Sequence, residues 1–199
     1  MIVITNPIAK PNEMHLIHSL FENGLEVLHI RKPDFSGAEM NAFLSQIAIA
    51  FRPRLVLHSH HELALRFGIS RIHFTEKTRL ETPEAHLKKW KKSGYTLSTS
   101  IHQMDDVEQL SDAFDYAFFG PVFESISKPN YRSNVDFKQE LKLIKYKKTR
   151  LVALGGITPQ NSKTALEYGF NDIALLGCIW NSNEPMENFK LCQKNAHLL

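Results

Sequence analysis

Short apolar runs rich in β-branched residues recur along the whole chain. Most of them are bounded by Gly, Pro or Ser, and runs of this kind are typical of strands buried in a parallel sheet. We therefore predict eight strands: Ile2–Thr5, Val27–Arg31, Leu55–His58, Arg71–Phe74, Thr96–Ser100, Tyr116–Phe119, Leu151–Leu154 and Ile173–Leu176.

Amphipathic segments separate these runs. In the segment from Ser36 to Phe51, apolar residues at offsets of three and four lie on one helical face. They are Met40, Phe43, Leu44, Ile47 and Phe51. Further helices are predicted at 134–146, at 158–169 and at 183–196. The second should begin with Thr158 as its cap and Pro159 at the first helical position.

Strict alternation of strands and helices implies a parallel sheet that is either open or closed into a barrel. Eight units favour the closed form, although 199 residues are few for it. An open dinucleotide-binding sheet would carry G-x-G-x-x-G after its first strand, where this chain reads Asn6-Pro7-Ile8-Ala9-Lys10. We predict a compact α/β single-domain (βα)8 TIM barrel over residues 1–199.

Composition and charge exclude several classes of binding partner. The net charge is only +3, and the one dense basic run, 138–150, is interleaved with leucines, as on the solvated face of a helix. The two cysteines form no C-x-x-C pair, which fits a reducing compartment. No leader sequence and no apolar run of about 18 residues is evident. We expect a cytoplasmic protein without nucleic-acid or membrane partners.

Glycines follow the last two predicted strands, where TIM barrels often bind phosphate. Gly155 and Gly156 follow the seventh strand, and Gly177 and Cys178 follow the eighth. Backbone N–H groups in such turns can point at phosphate oxygens. Each turn alone could be an ordinary tight connection, but the two together favour a phosphate site.

Two other strand ends carry candidate chemistry. Alternation places Ser98, Ser100 and His102 on one face of the fifth strand, so His102 is a candidate acid/base unless it only caps the next helix. His29 and Arg31 share a face of the second strand. With Lys32 they could bind an anion, although a surface arginine is the simpler interpretation.

The loop after the sixth strand carries Ser125, Ser127 and Lys128, which suit an anionic oxygen cluster or a flexible polar loop. His58, His60 and His61 raise the question of a zinc site. The residues that follow read as the first turn of a helix, so His60 and His61 should lie on its exposed start. No Asp ends the seventh or eighth strand to complete such a site, and we predict no metal site.

These motifs together resemble the thiamine phosphate synthase/TenI family over nearly the whole chain. The resemblance is carried by five segments: Leu28-His29-Ile30-Arg31, Ser100-Ile101-His102, 115–128 with its Gly120-Pro121-Val122-Phe123 turn, 153–161 with Gly155-Gly156-Ile157-Thr158-Pro159, and 173–179. It implies a (βα)8 barrel of thiamine biosynthesis that acts on a phosphorylated thiazole. It leaves open whether the protein is a homodimer.

The family has two branches. Its synthases join hydroxymethylpyrimidine diphosphate to thiazole phosphate, with Mg²⁺ held by an Asn-Asp pair and a further Asp. Those positions read His58-Ser59 and Thr78 here, so His58 and Glu76 are only weak metal candidates. A departing diphosphate is usually neutralised by Mg²⁺, so these losses weaken the synthase interpretation.

The TenI branch is more similar at strands two and five. It isomerises thiazole phosphate carboxylate to the aromatic tautomer and needs no cofactor. By position, His102 would be the acid/base, the glycines 155, 156 and 177 would hold the phosphate, and Arg31, Ser125 and Lys128 would line the mouth. Three alternatives stay open: a synthase using Mg²⁺, a non-catalytic binder of thiazole or thiamine phosphate, and a metal-dependent hydrolase.

Overall fold

The computed structural model describes residues 1–124, 135–144 and 148–196. Eight parallel strands pair in chain order, and β8 pairs with β1 to close the barrel. The strands are β1 Ile2–Ile4, β2 Val27–Ile30, β3 Leu55–Leu57, β4 Arg71–Phe74, β5 Thr96–Ile101, β6 Tyr116–Phe119, β7 Arg150–Leu154 and β8 Asp172–Leu175. The predicted (βα)8 fold is confirmed.

Helices follow the strands around the outside of the barrel. They are α1 Glu13–Glu22, α2 Gly37–Ser45, α3 Ala64–Phe67, α4 Glu76–Glu81, α5 Glu84–Lys92, α6 Asp105–Gln109, α7 Phe137–Leu143, α8 Ser162–Glu167, α9 Gly177–Trp180 and α10 Pro185–Ala196, with 3₁₀ turns at Ile49–Arg54 and His61–Leu63. None of the described helices combines the length and the hydropathy that a membrane span requires.

The predicted helices have other bounds in the structure, and those predicted at 134–146 and 183–196 are α7 Phe137–Leu143 and α10 Pro185–Ala196. The segment from Ser36 stops at Ser45 and resumes as a 3₁₀ turn that contains Pro53, which lacks the N–H that a continuous α-helix would use there. The helix predicted from Thr158 starts at Ser162 instead. The Asn161 side chain accepts the N–H of Thr158 at 2.8 Å and donates to the Gly156 carbonyl at 2.9 Å, so residues 156–161 form a turn.

The core has two layers, as the alternation of side chains along a barrel strand requires. Outward-facing side chains pack against the helices. The inward-facing apolar side chains form a separate cluster made of Ile2, Ile4, Tyr116, Phe118, Val152 and Ala174. Polar side chains also face the interior: the His29 ring lies 4.7 Å from that of Phe118, and His73 contacts Ser98 and Ser100.

A buried ion pair fixes the loop after β2 to α1. Lys32 is 0% exposed, and its Nζ lies 2.6 and 2.7 Å from the two carboxylate oxygens of Glu13, with the Phe35 and Phe43 rings beside it. Burial lowers the pKa of Lys32, and the Glu13 carboxylate opposes that shift. The prediction that Lys32 binds an anionic ligand is therefore wrong, because Glu13 already occupies its ammonium group in the interior.

Replacing Glu13→Gln should test this pair. The substitution leaves a buried ammonium without its counter-charge, so we expect the free energy of unfolding to drop by about 3–5 kcal/mol. The matched control is Glu167→Gln, because Glu167 pairs with Lys163 where both side chains are about half exposed, at 52% and 54%. That control should change stability by about 1 kcal/mol or less in denaturant unfolding. A Glu13→Gln loss as small as that of the control would show that the Lys32 pair does not matter for stability.

Candidate functional site

Three histidine side chains meet inside the barrel near the C-terminal ends of neighbouring strands. His29 comes from β2, His58 directly follows β3, and His73 comes from β4. His29 Nδ1 lies 2.9 Å from His58 Nε2, and the His58 and His73 rings stack with their centroids 4.0 Å apart. We call these three residues the histidine cluster.

Hydroxyl groups from the adjacent strands hold two of the rings. His29 Nε2 lies 2.7 Å from the Tyr116 hydroxyl oxygen. His73 Nδ1 lies 2.9 Å from Ser98 Oγ, and its Nε2 lies 3.1 Å from Ser100 Oγ. Strand register produces these contacts, because His73 is opposite Ser98 and Ser98 is opposite Tyr116 in the parallel ladders.

The histidine cluster is polar and uncharged at neutral pH. Burial is the main cause that lowers the pKa of His29 and of His58 well below the usual value, and it lowers the pKa of His73 to about 3. The rings also disfavour each other's protonation, and the Arg31 and Arg71 guanidinium groups add to the effect. The barrel interior below the mouth is therefore lined by neutral imidazoles.

His102 stands above this layer, where β5 ends. Its side chain is exposed, and its Nδ1 donates to the Gly120 carbonyl oxygen at 2.5 Å. A carbonyl can only accept, so Nδ1 carries the proton and Nε2 of the neutral ring keeps its lone pair. The structure thus places His102 at the mouth, as the alternation of β5 predicted, with one nitrogen suited to take a proton.

Arg31 provides positive charge at the same opening. Its backbone is held by Thr5, whose hydroxyl accepts the Arg31 N–H at 2.8 Å and lies 3.2 Å from the Arg31 carbonyl oxygen. The side chain is exposed, and its charge reaches His58 and His73. Its predicted role in binding an anion stays a prediction.

The fold itself requires glycine at positions 155 and 156. Their φ angles are +95° and +66°, and a Cβ on Gly155 would lie 2.8 Å from the Pro121 Cα. A Cβ on Gly156 would overlap the Glu124 carbonyl oxygen. Within the described part of the chain, no carbonyl accepts their backbone N–H groups. These two N–H groups are thus available to a phosphate, although the close approach that the structure contains is to residues 121–124.

Gly177 and Cys178 are the first residues of α9, in which the N–H groups of Ile179 and Trp180 donate to the Leu176 carbonyl oxygen at 3.1 and 3.0 Å. The Cys178 thiol is buried and hydrogen-bonded to Cys192 of α10, and this bond and burial raise the pKa of Cys178. Only the backbone of Cys178 can therefore serve the predicted phosphate site. Ser125, Ser127 and Lys128 lie outside the described residues.

Among the described residues, the other candidates for metal binding do not join the histidine cluster as potential ligands. His60 and His61 are half-buried rather than exposed, and their Nε2 atoms lie 2.8 and 3.1 Å from the carbonyl oxygens of Phe35 and Leu57. Glu76 lies 3.8 Å from the Arg79 guanidinium. Sequence reasoning missed His73, although its inward parity in β4, two residues after Arg71, could have identified it.

Known proteins resemble this chain in both sequence and fold. A family model described as thiamine monophosphate synthase matches residues 1–179. A thiamine-phosphate synthase of Caldicellulosiruptor saccharolyticus is 22% identical over 183 residues, covering 90% of this chain and 81% of that protein. One from Bacteroides fragilis is 23% identical over 196 residues, covering 94% of this chain and 95% of that protein.

A solved structure agrees with these matches. The crystal structure of a thiamine phosphate pyrophosphorylase from Bacteroides thetaiotaomicron is 27% identical and superposes with a TM-score of 0.78, covering 100% of this chain and 98% of that one. A thiamine phosphate pyrophosphorylase from Pyrococcus furiosus has the same TM-score of 0.78 at 17% identity and shows the shared fold alone.

The buried histidines predict a loss of stability in acid. In the unfolded chain the rings titrate near pH 6.5, whereas the folded rings stay neutral to lower pH, to about 3 for His73. The unfolded state therefore binds more protons below pH 6.5, and stability is lost as the pH falls from there toward 3. Between pH 7 and pH 5 we expect a loss of about 2 kcal/mol for each buried ring that stays neutral.

Denaturant unfolding at the two pH values, in buffer with a chelator so that only protons compete for the rings, measures this loss. A His73→Gln variant should show a shallower pH dependence. His86→Gln, at an exposed position of α5, should keep the wild-type dependence. Equal unfolding free energies at pH 7 and pH 5 for the wild type would contradict the prediction.

Proposed function

Because the chain belongs to the thiamine monophosphate synthase/TenI family, we propose that it isomerises thiazole phosphate carboxylate to its aromatic tautomer. The observation that carries this proposal is the His102 ring, fixed at the mouth by the bond from Nδ1 to the Gly120 carbonyl. Tautomerisation removes a proton from one atom of the substrate and returns it to another. It therefore needs one side chain that can accept and then donate a proton.

The proposed proton cycle uses His102 alone. Nε2 takes the proton from the substrate, and the imidazolium that forms keeps its Nδ1–H bond to the Gly120 carbonyl oxygen. The same Nε2 then returns the proton at the second atom, so the composition of the substrate is unchanged. The fixed carbonyl dipole stabilises the imidazolium while it exists.

The remaining groups of the mouth bind and orient in this proposal. The N–H groups of Gly155 and Gly156 and those that begin α9 hold the phosphate. The Arg31 guanidinium pairs with an anionic oxygen of the substrate.

A His102→Gln variant tests the proton-transfer role. Gln keeps a hydrogen-bond donor for the Gly120 carbonyl but has no basic ring nitrogen. We expect kcat for tautomerisation to fall by about 10²–10⁴-fold with little change in KM. His86→Gln on the exposed face of α5 is the matched control and should retain the wild-type rate. A His102→Gln enzyme with the wild-type kcat would rule out this role.

The second candidate is a thiamine phosphate synthase, and the names of the relatives favour it. The donor atoms at the family's Mg²⁺ positions do not support it. Ser59 offers one hydroxyl oxygen that is buried without a partner, and Thr78 Oγ1 is hydrogen-bonded to Thr75. Mg²⁺ prefers carboxylate oxygens. These described residues do not fit Mg²⁺, and we derive no step through it.

Assaying both reactions side by side separates the candidates. With thiazole phosphate carboxylate we expect aromatic product. With thiazole phosphate, hydroxymethylpyrimidine diphosphate and Mg²⁺ we expect no thiamine phosphate above background. Thiamine phosphate formation would establish the synthase instead, and saturable binding of thiazole or thiamine phosphate without turnover in either assay would establish a non-catalytic binder.

A further inference from the structure

We propose that His29, His58 and His73 bind one divalent transition-metal ion, such as Zn²⁺, below the mouth of the barrel. This inference does not rest on the proposed function, because it concerns the ligand set of the histidine cluster and is tested by binding alone. It also gives a role to the histidine cluster, which the proton cycle of His102 does not use.

The spacing of the ring nitrogens is close to that of a metal site. One nitrogen from each of the three rings lies within 4.8 Å of the others. In a tetrahedral zinc site with Zn–N distances of about 2.0–2.1 Å, two ligand nitrogens are about 3.3 Å apart. His29 Nδ1 and His58 Nε2 are 2.9 Å apart, so binding requires only a small separation of that pair. The third nitrogen has to approach by about 1.5 Å at most, and the stacked His58 and His73 rings, whose planes are 24° apart, must rotate so that both nitrogens point at one ion.

The hydroxyl partners resemble the outer shell of a histidine-ligated metal. A ligating imidazole almost always donates its other N–H to a hydrogen-bond acceptor, which fixes the ring and its tautomer. Tyr116 contacts Nε2 of His29 and leaves Nδ1 directed at His58. Both nitrogens of His73 have a serine hydroxyl partner, so whichever one binds a metal, the other keeps its hydrogen bond.

The donor set selects the class of metal. Three imidazole nitrogens favour Zn²⁺, Co²⁺ or Ni²⁺, whereas Mg²⁺ and Ca²⁺ require oxygen ligands. The charges that act on the cluster, from Arg31 and Arg71, are positive. The site therefore favours an anionic oxygen, from hydroxide, carboxylate or phosphate, as its fourth ligand. Such a ligand would enter on the side of His58, which is the half-buried member of the cluster.

The competing interpretation is a cluster held by hydrogen bonds alone. In that case one proton is shared between His29 and His58, and no ion is bound at stoichiometric amounts. Both interpretations account for the 2.9 Å contact, so only a metal titration distinguishes them.

The experiment uses the full chain without a histidine tag, stripped with a chelator and titrated with Co²⁺ while visible absorption is recorded. We expect saturation at one Co²⁺ per chain with the spectrum of a tetrahedral site, displacement by Zn²⁺, and no displacement by millimolar Mg²⁺. His58→Gln should weaken Co²⁺ binding by more than tenfold. Tyr116→Phe, which changes little in shape, should weaken it by about tenfold by releasing His29.

His86→Gln is the matched control and should bind Co²⁺ like the wild type, and circular dichroism should verify the fold of each variant. No saturable binding by the folded wild type would overturn the proposal. Unchanged affinity in folded Tyr116→Phe together with folded His58→Gln would overturn it as well. Because the readout is binding, failure here leaves the proton-transfer role of His102 intact, and loss of that role leaves the metal site intact.

Discussion

Closure of the sheet is the constraint on which the rest of this structure depends. Eight parallel strands that close into a barrel force every second side chain into one narrow interior, with no choice of direction. Apolar residues such as Ile4 and Phe118 fill one part of that space. The polar residues of β2, β4, β5 and β6 must then satisfy one another, and they do so through histidine–hydroxyl contacts.

Alternation and strand length made much of this fold predictable from sequence. The bounds predicted for β4 and β6 are those observed. The helix starts were less accurate, since Asn161 rather than Thr158 organises the turn before α8. The residue at which α8 begins depends on side-chain hydrogen bonds to the backbone, and hydrophobic periodicity does not predict these.

The site was predictable where it depends on one strand and unpredictable where it depends on contacts between strands. His102 could be placed at the mouth from the parity of β5 alone. The histidine cluster needs the register between neighbouring strands, which no single segment reveals. For Lys32, the sequence wrongly predicted a ligand-binding group. Its partner Glu13 lies on a helix 19 residues earlier, so a cation that resembled a ligand-binding group is neutralised inside the protein.

The glycine turn after β7 shows why a motif alone does not define a ligand site. Gly155 and Gly156 have positive φ and lie against residues 121–124, so packing would demand glycine there with or without a phosphate. The same reasoning applies to the strand ends of β3 and β4. At those strand ends the donor atoms decide which chemistry is available. Imidazole nitrogens and a lone serine hydroxyl belong to a different class of ligand from paired carboxylates, and a conserved fold cannot convert one into the other.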